Sequence, residues 1–246
     1  MSAIAIKINH LTKTYQEVPA VRNLSFEIKF GAITALLGSN GAGKSTTLDM
    51  LAGILKPSSG TVEINGLNYL DHEREIKKNL AYLTSHMNLY DRLTIEESFK
   101  FLGGLKGLTS IELKRRIEEL SVLFSLSPIL KKTFSSLSSG QKQRSLVAAS
   151  IIHDPQILIF DEVTASLDLV VAKEIMDFLK QEKERGKAII FSTHIPSEVE
   201  YLSDRIILLE RGLLVKDTSY QEFMSKTQAT NLTDAFYDVL KGLERE

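Results

Sequence analysis

A glycine-rich segment constrains the fold of this chain more than any other feature: Gly38-Ser39-Asn40-Gly41-Ala42-Gly43-Lys44-Ser45. It matches the pattern G-x-x-x-x-G-K-[ST], in which successive backbone N–H groups cradle phosphate oxygens. The glycines leave no Cβ in the path of a close anion and adopt positive φ without strain. Lys44 would neutralise the charge of the β- and γ-phosphates, and Ser45 would place its hydroxyl on Mg²⁺. The segment therefore predicts a phosphate-binding loop.

The residues on either side of this loop favour that interpretation. The apolar run Ala32–Leu37 predicts a strand before the loop. After it, apolar residues between Thr46 and Leu55 recur at helical spacing, which predicts a helix whose positive end points at the same site. The alternative is a glycine-rich turn between a strand and a helix with no ligand.

A second candidate site follows the apolar run Ile157–Phe160, which ends in Asp161 and Glu162. A continuous apolar run predicts a strand buried on both faces, and its carboxyl end would emerge beside the phosphate loop. Asp161 is then placed to bind Mg²⁺, directly or through water, and Glu162 to polarise an attacking water. The alternative is a pair of loop acids that cap a strand.

One histidine stands apart from the others because it follows a predicted strand, Ala188–Ser192. In that position His194 can contact a γ-phosphate or hold the attacking water. The remaining histidines are interpreted as ordinary polar loop residues; they are His10, His72, His86 and His153.

The segment Leu137–Gln141 precedes a helix-prone run through Ile152. Ser138 and Gln141 have the spacing of a capping box. A helix start rich in serine and glycine also presents free N–H groups to an anion. The pattern alone favours an anion site and a plain capped helix equally.

The order of these segments predicts an α/β fold with a largely parallel sheet covered on both faces, interrupted by a mostly helical insertion at about residues 85–150. The apolar face of Leu232–Leu240 predicts a docking helix.

The chain has no cysteine, which excludes disulfides and thiolate metal sites. Its net charge of -1 does not favour sequence-independent electrostatic binding to nucleic acid. Because no apolar run is long enough to span a bilayer, we expect membrane contact only through a partner.

Together these motifs resemble the nucleotide-binding subunit of ATP-binding cassette (ABC) transporters over about residues 4–216. The matching segments are the phosphate loop at Gly38–Thr46, the signature sequence at Leu137–Gln141, the second nucleotide motif at Ile157–Glu162, the D-loop at Ser166–Asp168 and the switch histidine at His194. The signature sequence is the discriminating part, because other phosphate-loop enzymes lack it.

The resemblance implies a P-loop NTPase core with a mainly parallel sheet, an antiparallel β subdomain and an inserted helical subdomain. It implies an ABC ATPase domain at residues 1–217 and a C-terminal helical extension at 218–246. ATP and Mg²⁺ are the implied cofactors, with Glu162, His194 and Lys44 catalytic. Nucleotide contacts are expected from residues 38–46 and from Tyr15, which would stack on adenine.

The implied partners are a second cassette, identical or different, and integral membrane subunits, with no nucleic acid. Signature residues Ser138, Ser139, Gly140 and Gln141 would contact the ATP held by the second cassette. The protein would then be cytoplasmic and lie on the inner face of the cell membrane. The run Ser192–Glu200, followed by Asp204-Arg205, looks most like subunits that drive sodium and drug export.

The chain departs from the family pattern in three places. Ser139 replaces a glycine, and its Cβ is expected to restrict φ and loosen closure onto the partner's phosphate. Ser85 stands at the position of a glutamine that reaches the metal and relays to the membrane subunit. Its side chain is too short for the same direct contact, so either a water links Ser85 to the metal or the coupling differs. Val163 and Ser166 replace the usual proline and glycine around the D-loop.

Two other functions remain open on sequence alone. One is a soluble cassette ATPase that acts on ribosomes or DNA, although such proteins usually carry two cassettes or a long coiled-coil insertion. The other is a regulatory cassette with an inactive site, against which the retained Lys44, Asp161, Glu162 and His194 argue.

Overall fold

The computed structural model describes residues 3–84, 86–165, 167–227 and 229–243. The strands are β1 (Ile4–Tyr15), β2 (Val18–Lys29), β3 (Ala32–Gly38), β4 (Ser59–Ile64), β5 (Leu67–Asn68), β6 (Leu80–Thr84), β7 (Ile157–Asp161), β8 (Ala188–Thr193), β9 (Arg205–Glu210) and β10 (Leu213–Ser219). The α-helices are α1 (Lys44–Leu51), α2 (Tyr69–Lys78), α3 (Ile95–Leu105), α4 (Ser110–Leu123), α5 (Ser139–Ser150), α6 (Leu169–Glu184), α7 (Pro196–Leu202), α8 (Tyr220–Ser225) and α9 (Leu232–Leu243). Short 3₁₀ turns cover Ser127–Ile129 and Phe134–Ser136.

The strands form two sheets. A six-stranded sheet has the order β10-β9-β3-β8-β7-β6, in which only the edge strand β10 runs antiparallel to its neighbour. A four-stranded antiparallel sheet has the order β2-β1-β4-β5. This architecture confirms the predicted core with a mainly parallel sheet and a separate antiparallel β subdomain.

Two apolar cores lie on opposite faces of the parallel sheet. One is shared with the antiparallel sheet, and α1 packs between the two sheets against β2, β3 and β7. The other is covered by helices, including α3, α4 and α5, which fill the segment between β6 and β7. Because both faces are covered, every residue of β7 and β8 is buried, as their continuous apolar sequences predict.

Strands β1 and β2 extend beyond the apolar segments Ile4–Leu11 and Leu24–Ile28, over which the sequence predicts strands. Each is interrupted by a non-glycine residue in left-handed backbone, His10 in β1 and Asn23 in β2, with φ of 52° and 53°. The register of the pair shifts between Ile8 and Leu11, which marks a bulge. Such irregularities break the alternation of apolar and polar residues, so sequence periodicity detects only part of each strand.

The C-terminal helix α9 packs on the helical side of the molecule, next to α7. Leu232 and Ala235 are fully buried, and Phe236 and Val239 pack against the same core. The backbone N–H of Leu232 donates to Glu200 Oε1 of α7 at 2.7 Å. The amphipathic segment is therefore a docking helix, while the domain boundary at 217/218 stays a prediction. No helix in the described ranges is long and apolar enough to cross a membrane.

A buried ion pair at the entry to β8 yields a stability prediction. Lys187 and Glu182 are only 2% and 4% exposed, and the Nζ–Oε2 distance is 2.5 Å. We expect Lys187→Met to lower the free energy of unfolding by about 3 kcal/mol, because Glu182 is left buried with only part of its compensating charge. Urea denaturation of both proteins measures the difference.

The matched control is Lys183→Met, which removes a partly exposed ion pair with Asp204, 2.8 Å long. Its expected cost is below about 1 kcal/mol, because an exposed pair is screened by water. Equal losses in the two variants would contradict the assigned importance of the buried pair.

Candidate active site

The glycine-rich loop joins the end of β3 to the first residue of α1, Lys44. A Cβ at Gly38 would lie 2.3 Å from the backbone oxygen of Leu209 in β9, so only glycine fits there. Gly43 caps α1 with φ of 99°, and a Cβ there would lie 2.6 Å from the Ala20 oxygen. The loop is therefore held between β9 and β2, with the positive end of α1 facing the cleft.

Lys44 extends back across the loop that precedes it. Its Nζ donates to the carbonyl oxygens of Gly38 and Ser39 at 2.9 and 3.0 Å. Burial lowers the pKa of the Lys44 ammonium, and the nearby charges of Glu162, Asp161 and Glu210 oppose that shift. The carbonyl oxygens of Gly38 and Ser39 therefore hold the Lys44 ammonium at the base of the cleft.

The two acids at the end of β7 have different environments. Asp161 is 6% exposed, and its Oδ1 accepts a hydrogen bond from the Ser192 hydroxyl. Glu162 turns away from the strand with a left-handed backbone, φ 50°, and its side chain is 27% exposed. This turn directs the two carboxylates to different places.

The side chain of Glu162 brings the three predicted catalytic residues together. Its Oε1 lies 3.9 Å from Lys44 Nζ and 3.3 Å from His194 Nδ1. His194 follows β8, where the preceding Thr193 hydroxyl donates to Glu198 Oε2 at 2.6 Å and accepts the Ile195 N–H at 3.0 Å. These hydrogen bonds orient the backbone that presents His194.

A cleft of about 670 Å³ opens above the loop. Of the residues predicted to bind the nucleotide or metal, those that line it are Asn40, Gly41, Gly43, Lys44, Ser45, Thr46, Asp161 and Glu162. Ser39 instead donates its hydroxyl to Glu210 Oε2 at 2.7 Å. Ala42 is buried beneath the loop, and the backbone of Gly38 ends β3.

The cleft also has lining residues that the sequence analysis missed, namely Asp49, Tyr82, Thr84 and His86, together with Ala20. The Tyr82 hydroxyl donates to Asp49 Oδ1 at 2.7 Å. His86 is an exposed loop residue, as interpreted from the sequence, and it also lines the cleft. Two signals were available: Asp49 lies one helical turn after Ser45, and Thr84 ends a strand parallel to the one that ends in Asp161.

The signature residues lie away from this cleft. Ser138 caps α5, and the reciprocal capping box with Gln141 is present at 3.4 and 3.2 Å. Ser139 is the first residue of the helix and has no positive φ, so the expected conformational restriction by its Cβ does not arise. Gly140 faces α6, where a Cβ would lie 3.1 Å from Val171 Cγ2.

A hydrogen bond joins this helix to the segment that follows the two acids. Gln143 Nε2, on α5, donates to the backbone oxygen of Val163 at 2.7 Å. Asp168, at the end of the D-loop, caps α6 by accepting the N–H groups of Val170 and Val171. Ser85 and Ser166 lie outside the described residues.

Tyr15 lies at the end of β1 and is 47% exposed. The Lys13 ammonium is 5.4 Å from the centroid of its ring. Tyr15 is not among the residues that line the cleft above the loop, and its contact with adenine stays a prediction.

Comparison with known proteins places these features in a family. The model of the ABC transporter family matches residues 21–165. The ABC transporter ATP-binding protein NatA of Bacillus subtilis is 34% identical over 224 residues, which cover 91% of each chain. The bacitracin transport ATP-binding protein BcrA of Bacillus licheniformis is 34% identical over 229 residues, which cover 93% of this chain and 74% of BcrA.

Solved structures agree with the sequence relatives. An ATP-binding subunit of an ABC transporter superposes with a TM-score of 0.89 at 26% identity, covering 96% of this chain and 99% of the other. A dimeric ATP-binding cassette in a post-hydrolysis state with ADP and Pi has a TM-score of 0.79 at 27% identity, covering 87% and 98%. With the phosphate loop and the paired acids in one cleft, these likenesses show that the chain belongs to the ABC transporter family, as an ATP-binding ATPase subunit.

Proposed function

We propose that this subunit hydrolyses ATP with Mg²⁺ in a head-to-tail pair of cassettes and thereby powers export through integral membrane subunits. The observation that carries the proposal is the convergence of Lys44 and His194 on one carboxylate oxygen of Glu162, at the edge of the phosphate cleft. The name of the BcrA relative, which describes bacitracin transport, supports a role in the movement of a drug-like cargo.

The donor set of the cleft fits a magnesium ion. Ser45 and Asp161 supply hard oxygen atoms, which Mg²⁺ prefers, and the buried Asp161 carboxylate has the Ser192 hydroxyl as its hydrogen-bond donor. Within the described part of the chain, no three acidic or histidine side chains group closely enough to form a metal cage. That agrees with an ion that takes its other ligands from phosphates and water. Bound there, it would neutralise charge that develops on the γ-phosphate.

Residues of the chain itself are assigned to phosphate binding, charge neutralisation and proton abstraction. The loop N–H groups and the N-terminus of α1 bind the phosphates, and Lys44 balances their charge. Glu162 accepts a proton from the attacking water, as a general base. His194, 3.3 Å from Glu162, orients that carboxylate toward the water.

The position of the signature residues supports the head-to-tail pair. Ser138, Ser139 and Gly140 present the N-terminus of α5, but they do not line the phosphate cleft of their own chain. In a pair, each α5 would face the γ-phosphate held by the other cassette. Contacts made only to the γ-phosphate favour the closed pair with ATP over ADP. The second cassette is identical or a related chain.

An apolar groove supports attachment to a membrane subunit. The groove has a volume of about 630 Å³ and lies between β6, α3 and α5. Its exposed large side chains are Ile54, Met87, Tyr90, Phe101 and Leu105. Tyr82 lines both this groove and the phosphate cleft. A cytoplasmic segment of the membrane subunit, seated there, would lie one side chain away from the nucleotide and hold the cassette at the inner face of the membrane.

Replacement of the proposed base tests the hydrolytic mechanism. We expect Glu162→Gln to lower the turnover rate by at least about 100-fold, because general-base help is lost. The variant should still bind ATP and should accumulate as a dimer, measured by phosphate release and size-exclusion chromatography with MgATP. Glu222→Gln, an exposed acid on α8, is the control. Unchanged turnover in Glu162→Gln would remove Glu162 from its assigned role.

The loop lysine tests nucleotide binding itself. We expect Lys44→Ala to weaken binding of MgATP by at least about 100-fold, since a buried charge-assisted contact to phosphate is lost. Fluorescent-nucleotide titration measures the affinity, with the exposed Lys100→Ala as the matched control. Wild-type affinity in Lys44→Ala would contradict the assignment of the loop.

A charged residue introduced at the rim of the groove tests whether the groove binds a membrane subunit. We expect Leu105→Glu to abolish copurification with an integral membrane subunit from detergent-solubilised membranes, because the carboxylate must be desolvated on docking. The basal ATPase rate of the isolated chain should stay unchanged. Ile111→Glu on α4 is the control, since Ile111 is 85% exposed and lies outside the groove. Equal capture by both variants would place the membrane contact elsewhere.

A further inference from the structure

Ser192 is a buried residue that contacts both proposed functional acids and precedes His194 by two positions in the chain. It lies in β8, is 1% exposed, and stands directly opposite Asp161 in the parallel pairing of β7 and β8. The three residues before it in the strand, Ile189–Phe191, are apolar. A hydroxyl buried in such surroundings is expected to be hydrogen-bonded, because burial without a partner destabilises the folded protein.

Ser192 makes two hydrogen bonds through the same oxygen, one to each acid. Its Oγ donates to Asp161 Oδ1 and accepts the backbone N–H of Glu162 at 3.1 Å. The directions are unambiguous, because a backbone N–H can only donate and a serine hydroxyl carries a single proton. The Glu162 N–H also reaches the Ser192 backbone oxygen at 3.3 Å.

These bonds act at the point where the chain makes an unfavourable turn. Glu162 has φ of 50°, a left-handed conformation that costs a non-glycine residue about 1 kcal/mol or more. The turn sends Asp161 toward the cleft with Ser45, and sends Glu162 toward Lys44 and His194. The Ser192 hydroxyl holds both ends of the turn, one by its carboxylate and the other by its peptide N–H.

We propose that Ser192 is a positioning residue of the ATPase reaction, whose hydroxyl fixes the Asp161 carboxylate for the metal and the Glu162 backbone for proton abstraction. Ser192 is buried and is not among the residues that line the phosphate cleft, so its role would be exerted through the two acids. The inference rests on the proposed roles of Asp161 and Glu162 and adds the residue that sets their relative orientation.

The test is the magnesium dependence of ATP hydrolysis in the full chain. Ser192→Ala should raise the half-activating Mg²⁺ concentration and lower the turnover rate, each by about 10-fold, as loss of a residue behind a metal ligand commonly does. Binding of ATP in EDTA should stay within about twofold of wild type, because the loop and Lys44 are untouched. If Ser192 only stabilised the fold, Ser192→Ala would weaken ATP binding in EDTA together with magnesium-dependent hydrolysis.

Two further variants keep the test decisive if Ser192→Ala is poorly folded. Ser192→Cys is only slightly larger than serine but donates only a weak hydrogen bond, so it should behave like the alanine variant. Ser192→Thr keeps the hydroxyl and should restore the magnesium dependence toward wild type. The control for removal of a buried hydroxyl from the same sheet is Thr34→Val in β3. Wild-type kinetics in Ser192→Cys would overturn the proposal.

Asp161→Asn, measured in the same assay, separates this inference from the proposed function. If Asp161→Asn leaves the magnesium dependence unchanged, the metal role of Asp161 is wrong and the positioning role falls with it. If Asp161→Asn abolishes magnesium-dependent turnover while Ser192→Ala and Ser192→Cys match wild type, the proposed function stands and the role of Ser192 is refuted.

Discussion

The register of three buried parallel strands is the constraint on which the rest of the site depends. In the pairing of β3, β8 and β7, Leu37 lies opposite Thr193, and Asp161 lies opposite Ser192. The phosphate loop, His194 and the paired acids therefore leave the sheet at one edge. Because both faces of these strands are buried, their backbone groups can be satisfied only within the sheet. A slip of one residue would turn Asp161 to the opposite face.

The charges of the cleft come from the residues that leave the parallel sheet at this edge. One ammonium group, Lys44, meets the carboxylates of Glu162, Asp161 and Glu210, and the backbone oxygens of its own loop hold it in place. Carboxylates outnumber the ammonium, so additional positive charge would strengthen triphosphate binding in this cleft and support hydrolysis. This imbalance is the physical basis for the proposed magnesium requirement, and the helix dipole of α1 adds to the positive side.

The segments with an unbroken apolar or helical period were predictable. These include the strands around Ile157–Phe160 and Ala188–Ser192, and the packing face of α4 with Ile117 and Leu120 buried. Prediction failed where two distant segments meet. His86 lines the cleft because β6 pairs with β7, a contact between residues more than seventy positions apart. The lengths of β1 and β2 were missed because bulges at His10 and Asn23 interrupt the pattern.

The sequence by itself determined the chemical groups of this protein: a loop that presents N–H groups, one lysine, two acids after a buried strand, and a histidine after another. Local spacing is sufficient for that, since each motif is contiguous. Only the tertiary structure decided that Glu162 lies between Lys44 and His194, that Ser192 joins the two acids, and that the signature residues do not line the cleft of their own chain. These relations depend on non-local strand pairing and helix packing, which no short stretch of sequence contains.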